Sequence, residues 1–168
     1  MEQHTRREAG FTMLETIIAL GILAVVAAGV LPLGLVATKS TENTGHLMAR
    51  TTEYAQDKME QLMALAWGDA LTDTRVFPST PTGGTGLTPG GTLSMTAPVA
   101  GYVDYLDIDG NPLAGNNANW YYQRVWQITS PRANLKQISV RAFVRTAAAG
   151  GLGALPQSTV TSLKTFPF

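Results

Sequence analysis

The carboxylate of Glu15 lies beside an apolar segment, where a charged side chain is unfavourable. Glu15 is at the start of a segment that runs from Thr16 to Thr38 without a charged residue. A charged side chain inside hydrocarbon is costly, so such a residue is usually functional and has a partner. The chemistry open to Glu15 is therefore ionic: its carboxylate meets a cation, or it reaches the membrane interface from near the helix end.

A glycine and an aromatic residue, Gly10 and Phe11, directly precede the apolar segment, after a polar stretch that contains Arg6 and Arg7. A secretory signal peptide is cut after its hydrophobic region. Here the small residue comes first, so cleavage after Gly10 would keep the apolar segment in the mature chain. The alternative is an uncleaved anchor. In either case the two arginines predict a cytoplasmic N-terminus and a remainder outside the inner membrane.

Three oxygen-bearing side chains, Asp107, Asp109 and Asn111, have the one-three-five spacing of a calcium loop. An EF-hand also needs glycine at its sixth place and glutamate at its twelfth. Those places hold Pro112 and Ala118, so the sequence favours a turn without metal. Calcium binding by this loop is left open.

The residues needed for a catalytic centre are scarce. The chain has no cysteine and two histidines, His4 and His46, far apart in the sequence. Neither a zinc site nor a nucleophile triad can be built from these. We therefore predict a protein that is not an enzyme and that needs no cofactor or metal.

The charge balance argues against nucleic acid as a partner, because 12 basic and 12 acidic residues cancel. Trp120, Tyr121 and Tyr122, with Arg124 close by, could stack on bases. Packing of alternate members of this cluster into a core is the simpler interpretation, with Trp120, Tyr122 and Trp126 on one face.

The apolar segment must be positioned by a helix. A bilayer-spanning helix needs about 20 apolar residues, and residues 11–38 are long enough to be the membrane-spanning half of a longer helix. Pro32, with Gly29 and Gly34 beside it, predicts either a kinked or melted turn or a close approach between helices.

Residues 39–67 continue the helical period as an amphipathic half. Its apolar stripe consists of Leu47, Thr51, Ala55, Met59, Leu62 and Ala66. The charged residues, Lys58 among them, are predicted to lie mostly off this stripe. Gly68, after Trp67, is a suitable position to end the helix.

Residues 68–168 are predicted to form a loop followed by a head domain made of an antiparallel β-sheet. The loop, 68–91, is rich in proline and glycine. Period-two alternation then predicts strands. They cover 92–97, 102–108, 120–128, 138–144 and, as an edge strand, 159–166. Burying their apolar face on the helical stripe gives an α+β fold, with a long N-terminal helix whose second half packs on an antiparallel sheet.

Together, Gly10, Phe11 and Glu15 resemble the processing site of type IV pilins and of the pseudopilins of type II secretion, and Pro32 matches a proline often found in their first helix. The resemblance covers roughly the first 65 residues. It implies that prepilin peptidase removes the leader, residues 1–10, and that Phe11 is then N-methylated. It also implies that Glu15 and Pro32 serve assembly.

The resemblance implies a minor pilin or pseudopilin, assembled through its N-terminal helix into a type IV pilus or a type II secretion pseudopilus. Its expected partners are prepilin peptidase, other filament subunits, the inner-membrane assembly platform and lipid. It is expected to span the inner membrane once before assembly, with its head outside the cytoplasm. The alternative is a membrane-tethered or tip-located module that binds a surface, a secreted protein or DNA.

Overall fold

The computed structural model describes residues 12–145 and 155–166. Within these ranges it contains one helix followed by an antiparallel sheet, which confirms the predicted α+β fold. The elements are α1 (Met13–Ala64), β1 (Gly90–Gly91), β2 (Val103–Leu106), β3 (Pro112–Leu113), β4 (Tyr122–Arg132), β5 (Leu135–Val144) and β6 (Gln157–Thr165). Gly10 and Phe11 lie outside the described residues.

The chain divides into two compact units, residues 1–42 and 43–168. Residues 13–42 of the first unit are helical throughout, including Pro32. The melted turn considered from the sequence is therefore absent between residues 29 and 34. One proline removes a single ladder hydrogen bond, and the other main-chain bonds of the helix are kept.

The sheet of the second unit has the strand order β3-β2-β4-β5-β6, and β1 also pairs with β4. The β4–β5 register places Trp126 opposite Val140 and Ile128 opposite Ile138. Residues opposite each other project to the same face, so one apolar face is formed jointly by both strands. Edge strand β6, predicted as 159–166, is confirmed at the end of the sheet.

The core of the second unit lies between this face and α1. The predicted stripe is buried at Leu47, Thr51, Ala55, Met59 and Leu62. Ala66 was placed on the stripe wrongly, because α1 ends at Ala64 and Ala66 is exposed. Buried residues of the sheet that belong to the same cluster are Leu106, Tyr122, Trp126, Ile128, Ile138, Val140, Ala142 and Val144.

The first predicted strand, residues 92–97, does not form. Instead, Gly90 and Gly91 make the short pairing with β4. The amide of Ser94 donates to Thr92 Oγ1 at 3.1 Å, and the amide of Ala97 donates to Ser94 Oγ at 3.3 Å. Serine and threonine side chains that bind nearby amides compete with strand pairing, which the alternation alone does not reveal.

Candidate functional site

The first unit exposes an apolar surface along its helix. Large aliphatic side chains from Met13 to Val36 are more than half exposed. Between residues 13 and 38 the only charge is on Glu15. The helix is long and apolar enough to cross a membrane. A contiguous apolar patch of this size needs lipid or other helices to cover it.

The helix begins with a side-chain cap. The amide of Glu15 donates to Thr12 Oγ1 at 3.3 Å, and the amide of Thr16 donates to the Thr12 carbonyl at 3.2 Å. Thr12 is therefore the N-cap and Glu15 the third residue of the helix, which is the residue spacing of a capping box. A carboxylate in the first turn also interacts favourably with the helix dipole. The Glu15 side chain is exposed, so it remains open to a partner.

Residues 5–31 match the family model of the prokaryotic N-terminal methylation motif. The chain carries the signature of type IV pilins and pseudopilins. No curated protein and no solved structure matches the chain. The matched residues contain Gly10, Phe11, Glu15 and the beginning of the apolar helix, and end just before Pro32. The pilin signature therefore coincides with the exposed apolar helix of the first unit.

The second unit contains a buried charge cluster that was not predicted from the sequence. Lys58, predicted to lie off the stripe, is fully buried, and so are Asp104 and Arg124. Lys58 Nζ lies 2.7 Å from Asp104 Oδ2. Arg124 Nε and Nη2 both donate to the Asp104 carboxylate at 2.8 Å. Arg124 Nη1 lies 2.8 Å from Asp57 Oδ2, at the half-exposed end of the cluster.

Further contacts use the remaining hydrogen-bond donors of Lys58. Lys58 Nζ also donates to Gln61 Oε1 and to the Thr74 carbonyl, and it lies 4.9 Å from the centre of the Trp126 ring. Burial by itself raises the pKa of Asp104, but the charges of Lys58 and Arg124 outweigh it and hold that pKa below its ordinary value. Burial lowers the pKa of Lys58, and Asp104 opposes that effect. The cluster is a fully paired structural core rather than a catalytic set.

The burial of this charge cluster could have been predicted from the positions of its residues in the sequence pattern. Lys58 is three residues after Ala55 on the helical stripe, and Arg124 alternates with Tyr122 and Trp126 on the buried face of β4. Asp104 lies within the apolar strand β2. Balanced charges at inward-facing positions of neighbouring elements indicate a buried ion cluster.

The Asp107–Asn111 segment forms a turn that uses the Asp107 carboxylate internally. Asp107 Oδ1 accepts from the amides of Asp109 and Asn111, at 2.9 and 2.8 Å. Asp107 Oδ2 accepts from Asn111 Nδ2 at 3.0 Å, and these contacts lower the pKa of Asp107. Gly110, with φ of 90°, supplies the left-handed position of the turn. The geometry favours the turn interpretation made from the sequence, and among the described residues no group of three His, Cys, Asp or Glu side chains could hold a metal ion.

The aromatic cluster is divided between the two faces of the sheet. Tyr122 is buried with its ring centre 4.8 Å from that of Tyr54, and Arg124 is bound to Asp104. Trp120 was assigned to the face of Tyr122 wrongly. It precedes β4 and packs at 5.7 Å on Tyr105, which pairs with Gln123 and so projects to the opposite face. Tyr122, Arg124 and Trp126 are buried and used in packing, whereas Trp120 and Tyr121 are half-buried.

Proposed function

We propose that the protein is a minor pilin or pseudopilin, made as a membrane-anchored precursor and assembled through its N-terminal helix. The match of residues 5–31 to the methylation motif supports this most directly. The exposed apolar surface of the first unit supports it independently, because that surface needs a membrane before assembly and neighbouring helices after it.

In this proposal prepilin peptidase removes residues 1–10 and methylates the new N-terminus at Phe11. The cut creates a cationic α-amine four residues before Glu15. In a staggered filament the Phe11 amine of one subunit reaches the depth of Glu15 in an adjacent subunit, and the pair neutralises both charges inside the apolar core. Assembly then depends on prior cleavage, and the pair sets the axial register.

The precursor spans the inner membrane once, with Arg6 and Arg7 on the cytoplasmic side and the second unit outside. The assembly platform extracts the processed helix into a type IV pilus or a type II secretion pseudopilus. The segment Ala55–Leu62 resembles minor more than major subunits, which is why we propose a minor subunit. The role is structural rather than enzymatic.

The test is co-expression with a prepilin peptidase followed by intact-mass spectrometry of the membrane fraction. The mass should fall by the ten leader residues and rise by one methyl group. Gly10→Val should remain at precursor mass. Gly21→Val is the matched control, since a Cβ at Gly21 meets nothing within 4 Å. A wild-type chain that keeps its full mass, or a Gly10→Val chain that is processed normally, would reject the proposal.

A further inference from the structure

The sheet has two unlike edges. At one edge β3 contains only two residues and includes Pro112, and β1 is equally short. At the other edge β6 runs for nine residues and pairs with β5 from Leu135–Thr165 to Phe143–Gln157 without a register shift. Short strands and prolines protect a sheet edge from further pairing, whereas a long regular edge strand is a template for it.

The unpaired main-chain groups of β6 can be assigned from its ladder. The Phe166 amide donates to the Asn134 carbonyl, and the Val144 amide donates to the Pro156 carbonyl. Both pairs continue the β5–β6 register, so the even-numbered residues of β6 make the ladder bonds. Antiparallel pairing alternates, so the odd-numbered residues direct their N–H and C=O groups outward. These residues are Gln157, Thr159, Thr161, Leu163 and Thr165, and all five are exposed.

This edge lacks the usual protection. In the part of the chain that the structure describes, no main-chain hydrogen bond from outside the β5–β6 ladder reaches the outward groups of β6. The strand contains no proline, and its one charged residue is Lys164. Lys164 Nζ is turned away from the edge to the end of α1, where it donates to the carbonyls of Met63 and Leu65 at 2.6 and 2.7 Å.

A cavity adjoins the same edge. It is widely open to solvent, measures about 420 Å³, and is lined by Met63 of α1, by the three residues that follow Ala64 and by β6. Leu163 and Lys164, which project to opposite faces of the sheet, both line it, so it opens at the edge strand itself. Its wall also includes Met63, Ala66 and Trp67. Strand addition takes affinity from main-chain bonds and specificity from such side-chain pockets.

We propose that the outer edge of β6 binds an extended segment of a different filament subunit, which adds a strand to the sheet and places an apolar side chain in the cavity beside Trp67. The inference rests on the proposed function, because it places the protein in a filament.

A second copy of this chain fits less well. Its unpaired long strand is again β6, so two copies would meet edge to edge. If two β6 strands paired in antiparallel fashion about Thr161, the two copies would be related by a two-fold axis perpendicular to the sheet. This axis would reverse the direction of residues 43–64 in one copy relative to the other. Subunits of a polar filament run in one direction, which excludes this pairing.

The test compares two full-length variants at one position. Thr161→Pro removes an N–H group that points outward and leaves the β5–β6 ladder bonds intact. An edge strand tolerates proline at such an outward-facing position. Thr161→Val loses the same hydroxyl contact with Ser139 but keeps the N–H. Both chains should be processed and should melt alike in detergent. Thr161→Pro should be about two- to tenfold scarcer than Thr161→Val in sheared filaments, the change that the loss of one hydrogen bond of about 0.5–1.5 kcal/mol produces.

Site-resolved amide exchange provides the second readout. In the detergent-solubilised wild-type chain, the Thr159, Thr161 and Leu163 amides should exchange fast and those of Val160 and Ser162 slowly. In filaments all five should exchange slowly. Slow exchange of the odd amides before assembly would mean that the chain covers its own edge, and it would overturn the proposal.

The two proposals fail differently. A chain that is never processed overturns the proposed function and the strand addition with it. A chain that is processed and assembled, but in which Thr161→Pro matches Thr161→Val, overturns the strand addition alone. Thr161→Cys introduces the only cysteine into a cysteine-free chain. A cross-linked product of twice the subunit mass would identify a second copy and reject the different-subunit partner.

Discussion

The ammonium group of Lys58 lies 2.7 Å from a carboxylate oxygen of Asp104, and both side chains are buried. Lys58 belongs to α1 and Asp104 to β2, so the pair joins the helix to the sheet. Arg124 on β4 binds the same carboxylate from the other side. Because an ion pair tolerates little displacement in a low-dielectric core, this contact fixes one position of the helix on the sheet.

Asp104→Asn should destabilise the chain by about 3–5 kcal/mol, because it leaves buried Lys58 without its counter-charge and Arg124 with only the half-exposed Asp57. The matched control is Glu53→Gln, which removes an exposed carboxylate paired with Arg50 at 3.1 Å and should change stability little. Chemical denaturation of both full-length variants in detergent measures the difference. Equal costs would show that the cluster contributes no more than a surface pair.

Stability should also fall at high pH, through Tyr122. Burial, with smaller contributions from Tyr54 and Tyr121, raises the pKa of Tyr122 from its ordinary 10.0 to about 12. A group with a raised folded-state pKa contributes stability that is complete below the unfolded pKa and is lost as pH rises to the folded one. We therefore expect about 2–3 kcal/mol to be lost between about pH 10 and 12.

Denaturant titrations across this range measure the alkaline loss. Tyr122→Phe removes the ionisable group while keeping the ring, so its stability should be flatter between pH 10 and 12. If wild type and Tyr122→Phe lose stability in parallel, another group causes the alkaline loss.

The second unit should fold without the first. A chain starting at residue 43 retains the buried helical stripe and the whole sheet, and it should melt cooperatively in water. In that chain Trp126→Ala should cost about 3–5 kcal/mol, because the ring is buried. Leu71→Ala, at a largely exposed position, is the control and should cost little. Aggregation, or a melt without cooperativity, would contradict an independent helix–sheet core.

Glu15→Ala should leave cleavage and membrane insertion unchanged while reducing incorporation into filaments by about a hundredfold, because an unpaired charge in hydrocarbon costs about 2.5–3.5 kcal/mol. Glu42→Ala, which removes an exposed carboxylate at the far end of the first unit, should behave as wild type. Immunoblots of membrane and sheared-filament fractions measure both. Wild-type amounts of Glu15→Ala in filaments would show that Glu15 is only an interfacial residue.

The N-terminal signature could be read from the sequence because it is local. Gly10, Phe11 and Glu15 are recognised by spacing, and the apolar helix by length and the lack of charge. The antiparallel strands could likewise be predicted, since the alternation of apolar and polar residues along β4 and β5 indicates which side of each strand is buried. Local side-chain competition explains the failure at residues 92–97: Thr92 and Ser94 bind nearby amides that strand pairing would need.

The sequence by itself determined the family signature, the α+β class and the identity of most core residues, because these depend on residue type and on period along one segment. Tertiary structure alone decided which charged residues are buried and paired. Lys58, Asp104 and Arg124 are up to 66 residues apart in the chain, and each is unfavourable in a core by itself. Only folding brings their opposite charges within 2.8 Å and makes their burial tolerable. In the same way, only the strand order leaves β6 unpaired on one side, which no property of residues 157–165 alone could show.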